Sequence, residues 1–253
     1  MAEMVGRVER TEWLTPHMVR VVLGGEGLTG FAGPEHTDAY VKLTFPGRDG
    51  PIPRRYSVRR WDAGSCRLTV DFVVHGSDGV AGPWAARACA GDLVGVAGPG
   101  GAFRPDPDAD WHLMVGDESA LPAIAASLEQ VPPGALTVVR LVCDGPDCEV
   151  PLETPGALDL VWLHRRGATD PEALLLDAVR QLAFPRGSVS AFVHGEAGEV
   201  RAVRRHLLGE RGMDRSALSV SGYWRRHMTD ESWRQVKRAW NADQEADVVA
   251  AAR

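Results

Sequence analysis

Lysine is almost missing from this chain: only Lys42 and Lys237 occur, so 26 of the 28 basic residues are arginine. A bias that strong weakens any argument that one particular arginine was selected for its fork geometry. Basic charge as a whole is also short, with 28 Lys and Arg against 34 Asp and Glu and a net charge of -6. General nucleic-acid binding is therefore disfavoured, because it needs a basic footprint that displaces counterions from phosphates. The four cysteines, Cys66, Cys89, Cys143 and Cys148, form no CxxC pair, so zinc-ribbon, thioredoxin-like and common iron–sulfur spacings are missing. They read as core or surface thiols, and any electrons handled here have to pass through an organic cofactor. The histidines show no facial-triad spacing, so no protein metal site is expected. No window reaches the roughly 18 consecutive apolar residues of a membrane span, and the first residues lack a cationic start followed by an apolar run. The expectation is a cytoplasmic protein with no membrane span.

What is present suits a soluble globular protein: 44% hydrophobic and 25% charged residues, close to ordinary usage. A length of 253 residues exceeds what one core usually supports and predicts two domains. Residues 5–105 read as short strands separated by turns. Segments 18–23, 39–45 and 67–74 alternate or run apolar, are rich in β-branched residues and are bounded by Gly, Pro and Asp. An antiparallel Greek-key β-barrel closes such a set with few exposed edges. The rigid, polar stretch through Gly98-Pro99-Gly100-Gly101 and Arg104-Pro105-Asp106-Pro107 suggests a boundary near residue 107. The expected domains are a barrel over 1–107 and an α/β domain over 108–253.

Beyond the boundary, strands at 111–116, 136–142, 158–163, 188–194 and 218–224 alternate with helices at 120–130, 172–182 and 199–211. That order predicts a parallel-sheet, nucleotide-binding α/β domain, followed by an amphipathic C-terminal helix over 232–240 and a polar, frayed end.

Arg54-Arg55-Tyr56-Ser57-Val58-Arg59 is the segment with the clearest chemistry. A tyrosine at a strand end can lie against an isoalloxazine, Ser57 can meet the polar edge of a flavin, and arginine can neutralise a pyrophosphate through paired hydrogen bonds. A strand edge carrying solvated arginines has the same appearance. The next segment, from His75-Gly76 through Gly79, Gly82, Pro83 and Trp84, passes from a strand through a glycine-rich turn into a short helix. A helix start offers free N–H groups to a phosphate, and Pro83 suits a first turn. His75 also reads as a turn-capping residue.

With these motifs the chain resembles the siderophore-interacting protein family, FAD-dependent ferric-siderophore reductases of the ferredoxin-reductase-like superfamily. The resemblance runs through RRYSVRR, the segment from His75 to Trp84, GDLVGVAGPGG, WHLMVGDESALPAI, VHGEAGEVRAVRRHL and SGYWRR. The turn departs from the family in the position of its proline, Pro83. The resemblance implies an FAD-binding barrel in which Arg54, Tyr56, Ser57, Val58 and Arg59 form the flavin strand, with His75, Gly79, Gly82 and Trp84 near the pyrophosphate and adenosine. It also implies that NADH or NADPH lies among Gly116, Asp117, Ser119 and Ala120, the turn at Glu196, and Tyr223 and Trp224. The substrate implied is a ferric siderophore, and a ferredoxin is open as a partner.

Several of these positions keep two readings. Ser119 can meet a phosphate, whereas Asp117 and Glu118 repel one and suit an acidic N-cap and first helical turn. There is no GxGxxG fingerprint. Tyr223 and Trp224 can cover a flavin or nicotinamide face or serve as an ordinary core cap. Arg201, Arg204 and Arg205 can read a 2′-phosphate or form a solvated helix face. Lys42, on the same strand face as Tyr40, is a candidate contact for an anionic ferric siderophore. Electron transfer of this kind requires no protein acid or base, so no catalytic residue is expected. A general flavin or ferredoxin-type reductase and a non-catalytic siderophore carrier remain as alternatives.

Overall fold

The computed structural model of the chain describes residues 4–47, 50–74, 76 and 79–251, with side chains as far as residue 243. The backbone divides into two compact units. The first comprises Met1–Arg104, Pro122–Gln130 and Asp147–Glu153, and the second comprises Pro105–Leu121, Val131–Pro146 and Thr154–Arg253.

In the first unit six strands, β1 (Met4–Thr15), β2 (Met18–Gly24), β3 (Tyr40–Phe45), β4 (Ile52–Asp62), β5 (Arg67–Val73) and β6 (Leu93–Gly100), close a barrel in the order β1-β2-β5-β4-β3-β6. Every neighbouring pair is antiparallel. The out-of-sequence neighbours β2–β5 and β3–β6 make it the expected Greek key. The alternation seen in the sequence sends Val21, Leu23, Val41, Leu43, Leu68, Val70 and Val96 into a shared core, because successive strand residues point to opposite faces. A five-residue helix, α1 (Ala81–Ala85), packs beside the end of β5. Gly82 permits that approach, since a Cβ there would stand 3.2 Å from the Val73 carbonyl oxygen.

In the second unit β7 (Trp111–Asp117), β8 (Leu136–Cys143), β9 (Ala157–His164), β10 (Val189–Glu196) and β11 (Leu218–Trp224) form one sheet in the order β11-β10-β7-β8-β9. All of its pairings are parallel. The strand order reverses between β7 and β10, and open sheets of this kind take ligands at such a switch point, outside the carboxyl ends of the strands. Helices α3 (Leu174–Arg180), α4 (Ala197–Arg205) and α5 (Asp230–Ala251) complete this unit, whereas α2 (Leu121–Leu128) belongs to the first unit from Pro122 onward. Leu175 and Val179 of α3 and Val200 and Val203 of α4 share a core with Leu113, Val115, Ala191 and Val193 of the sheet.

Two elements differ from their sequence reading. The C-terminal helix starts at Asp230 and continues to Ala251 instead of fraying after 240; its anchor is Trp233 and Trp240, seven residues apart, both buried with ring centroids 5.3 Å apart. Arg204 does not belong to a solvated face. It lies seven residues after Ala197, on the buried stripe of α4, and is 2% exposed. Among the described residues no helix is long and apolar enough to cross a membrane.

Candidate functional site

The register of β4 sets the geometry of the first unit. Arg54 pairs with Leu43 and Tyr56 with Val41, whereas Arg55 pairs with Lys42 and Ser57 with Tyr40. Cross-strand partners share a face, so Arg54 and Tyr56 lie on the side of the interior residues and Arg55, Ser57, Lys42 and Tyr40 on the other. β5 pairs with β4 only at Val58, Arg60, Trp61 and Asp62. The ladder between the two strands ends at Val58, and beyond it Tyr56 faces Phe72 at 4.3 Å between ring centroids. Phe72 in turn packs on Trp84, with centroids 5.8 Å apart, and Trp84 on Phe45 at 5.1 Å. A half-buried ring on a strand that also carries arginines can receive a flat, hydrogen-bonding ligand.

Charge at this strand is arranged to match. Arg59 falls at the irregularity between Val58 and Arg60, and its Nη2 pairs with Glu129 Oε1 at 2.7 Å. Its Nη1 is buried without a hydrogen-bond partner, and a buried unsatisfied donor calls for a ligand or water. Arg54 is half-buried, Lys42 and Arg55 are exposed, and the Arg55 guanidinium stands 5.4 Å from the centre of the Tyr40 ring. Gly79 has φ +81 with open space about it, a conformation that favours glycine. Val80, which precedes α1, makes no side-chain cap. His75 lies outside the described residues. The flat rings and the guanidinium donors, with Nη1 of Arg59 unsatisfied, fit FAD.

In the second unit the predicted residues gather at the carboxyl ends of β7, β10 and β11. Asp117 is fully buried. Its Oδ1 accepts the N–H of Ser119 at 2.8 Å and the Ser119 hydroxyl. Its Oδ2 accepts the N–H of Glu196 at 2.8 Å and Trp224 Nε1–H at 2.7 Å. Gly116 pairs with His194 in the register of β7 and β10, and Ala120 donates its N–H to the Asp117 carbonyl at 3.0 Å. Glu196 is the N-cap of α4: Oε2 accepts from the N–H groups of Gly198 and Glu199, and Oε1 from that of Arg226. The side chains of Asp117, Ser119 and Glu196 are thus engaged with the protein itself, while Tyr223 and Trp224 are half-buried at the strand end. Tyr223 meets the buried His194 ring edge to face, with centroids 5.1 Å apart. Burial, with Lys237 adding to it, pushes the His194 imidazole down to about 3, so it stays neutral.

Arg165, Glu199 and Arg226 were not singled out from the sequence, and the partner of Glu118 was not foreseen. Glu118 is held by Arg165, whose Nη1 lies 2.7 and 2.8 Å from its two oxygens. Glu199, 3% exposed, pairs with Arg226. Burial pushes the Glu199 carboxyl up to about 8, the Asp117 carboxylate adds to this, and Arg165 and Arg226 oppose it. A hint lay in the count of acids: residues 117, 118, 196 and 199 fall at strand ends that come together, and buried carboxylates need cations.

The siderophore-interacting FAD-binding domain matches residues 7–53 and 45–103, and the siderophore-interacting protein family matches residues 109–227. A ferric vibriobactin reductase of Vibrio cholerae is 36% identical over 252 residues, which cover 90% of this chain and 91% of that protein. The chain belongs to the siderophore-interacting protein family. Its first part is the family's FAD-binding domain. An uncharacterised protein of Mycobacterium tuberculosis is 44% identical over 91% of this chain and 93% of its own length. The crystal structure of a siderophore utilization protein from T. fusca superposes with a TM-score of 0.82 at 36% identity, covering 90% of this chain and 95% of that one.

Proposed function

We propose that this protein is an FAD-dependent reductase that passes electrons from NADH or NADPH to Fe(III) held by a siderophore. The observation that carries the reading is the buried, unsatisfied Nη1 of Arg59 on β4, the strand that also carries the half-buried Tyr56 ring, in a barrel of the family's FAD-binding type. The likeness to a named ferric vibriobactin reductase along nearly the whole chain supports the choice of acceptor.

Each residue has a task that its position allows. Arg54 and Arg59 neutralise the pyrophosphate, with Nη1 of Arg59 as a ready donor. Tyr56 offers a ring face, Ser57 and Val58 offer the strand, and Trp84 backs the aromatic stack from α1. Gly79 and Gly82 let the chain turn and approach without a side chain in the way. In the second unit Gly116, Ser119 and Ala120, with Tyr223 and Trp224, border the nicotinamide nucleotide, and Asp117 and Glu196 hold that border in place. Lys42 and Arg55 present positive charge on the outer face of β3 and β4 and draw in an anionic iron complex.

FAD, when bound, supplies the exchange between a two-electron donor and a one-electron acceptor. Reduction of the iron weakens its bonds to hard anionic oxygen ligands, so the metal leaves and the chelator survives. No side chain has to donate or take a proton for this.

An anaerobic absorbance titration of the FAD-loaded protein tests the reading. One nicotinamide should bleach the flavin band, and a ferric siderophore should restore it faster than oxidised free flavin or a quinone does. A yellow protein that neither nicotinamide bleaches would be a carrier, and a preference for non-iron acceptors would make it a general flavin reductase.

A further inference from the structure

Asp117 ends β7 at the switch point of the sheet, where a nucleotide should sit, yet its carboxylate has no capacity left for a ligand. Four donors saturate it: the N–H and hydroxyl of Ser119, the N–H of Glu196 and the indole N–H of Trp224. These donors come from the loop after β7, from the end of β10 and from the end of β11. One side chain therefore ties three strand ends together. The tie is built to close tolerance, because a Cβ on Gly195 would stand 2.8 Å from Asp117 Cγ, and Gly195 has φ +143.

Trp224 and Ser119 are the half-buried members of this set, and Trp224 is the one that offers a flat ring. Its indole is half-buried, fixed at one edge by the 2.7 Å bond to Asp117 Oδ2, with the Arg226 guanidinium 6.0 Å from its ring centre. Arg226 is itself held by Glu199 and Glu172. The bond to Asp117 helps to fix the plane of the indole before any ligand arrives, and a wall that is already ordered costs less to bind against.

We propose that Asp117 is a positioning residue for the electron donor: it acts through Trp224, setting the indole as a preformed wall against which the nicotinamide nucleotide is seated. This rests on the nicotinamide reading given above. Asp117 does not touch the nucleotide, and the negative charge that sequence reasoning treats as repulsive to phosphate is absorbed by four protein donors.

The test uses the full FAD-loaded chain and three variants: Asp117→Asn, Trp224→Phe and the pair combined. Asparagine keeps the shape but turns one acceptor into a donor facing two N–H groups. Removing a hydrogen bond to a charged acceptor should raise KM for the preferred nicotinamide about tenfold in each single variant. The loss should fall on KM more than on kcat, and the double variant should be no worse than either single one. The indole N–H resonance of Trp224, identified by its disappearance in Trp224→Phe, should move in Asp117→Asn without any nucleotide present. Equal Asp117→Asn effects with and without Trp224 overturn the proposal, as does an unmoved indole resonance. If Asp117→Asn does not fold, Trp224→Phe removes the same bond from its other end, and an unchanged KM there is equally fatal. A wild-type protein that neither NADH nor NADPH reduces sinks the donor reading and this proposal together, whereas a wild type that is reduced normally beside an unaltered Asp117→Asn sinks the proposal alone.

Discussion

Arg59 Nη2 and Glu129 Oε1 stand 2.7 Å apart, and this ion pair leaves the other terminal nitrogen of the guanidinium buried and unsatisfied. One half of the fork is held by the protein and the other is available. The side chain of Arg59 is 19% exposed and that of Glu129 46%, so the carboxylate gains little from the pairing itself, and its effect is to hold the arginine in one orientation. Arg59→Ala should weaken FAD binding by about tenfold or more, the scale of one lost charge-assisted hydrogen bond, and Glu129→Gln should weaken it less. Fluorescence titration of FAD into the apoprotein measures both. An Arg59→Ala protein with wild-type affinity would remove Arg59 from the site.

A second ion pair of the barrel is structural. Arg20 Nε and Nη2 meet Asp71 Oδ1 and Oδ2 at 2.7 and 2.8 Å, and Asp71 is 5% exposed. The Asp71 hydrogen bonds raise the Arg20 guanidinium against the opposing effect of burial. Asp71→Ala leaves a partly buried charge alone and should cost about 3 kcal/mol of stability. Urea denaturation followed by intrinsic fluorescence is the check.

Gly195 tolerates no side chain for two separate reasons, its φ of +143 and the 2.8 Å between a Cβ there and Asp117 Cγ. Gly195→Ala should destabilise the second unit by about 1–3 kcal/mol and weaken nicotinamide binding, because the carboxylate has to retreat from Glu196 and Trp224. Flavin reduction by the preferred nicotinamide should then saturate at higher concentrations.

Glu199 makes stability depend on pH in a predictable direction. Its folded value is raised to about 8 from 4.5, so between these values the folded state holds a proton that the unfolded state has released. The stabilisation is complete below pH 4.5 and is lost as pH rises through about 8. Glu199→Gln should flatten the thermal stability profile over this range. His194 has the opposite sign: lowered to about 3 from 6.5, it lets the unfolded state take up the extra proton, so stability falls as pH drops below 6.5. A Glu199→Gln profile with an unchanged alkaline slope would refute the assignment.

Lys42 is exposed on the outer face of β3, opposite Arg55. Lys42→Glu should lower kcat/KM for an anionic ferric siderophore several-fold at low salt, and the difference should shrink as ionic strength approaches about 0.15 M, where the Debye length is roughly 8 Å. Stopped-flow reoxidation at two salt concentrations decides it.

Much of the architecture was legible before any coordinates. Strand alternation at 39–45 and 67–74 and the change to strand–helix alternation after 107 are local patterns, and local patterns survive in the sequence because they reflect backbone geometry and turn chemistry. The helix 172–182 was placed correctly but drawn too long, since Leu174–Arg180 is the helical part; the ends of a helix depend on neighbours more than on periodicity. Arg204 keeps two readings in the sequence, a 2′-phosphate contact or a solvated face, and neither weighs its place seven residues after Ala197 on the buried stripe. The acids at 117 and 196 were seen, but not what they hold, because their partners lie on other strands: Trp224 is 107 residues from Asp117.

By itself the amino-acid order determined a barrel followed by an α/β unit and the family to which the chain belongs. All of these rest on short stretches whose periodicity and side-chain chemistry can be read in place. Only the tertiary structure decided that the ladder between β4 and β5 ends at Val58, that Glu129 holds Arg59, and that the Asp117 carboxylate joins three strand ends. Each of those depends on which distant segments become neighbours, and neighbour choice is made by the packing of the whole core.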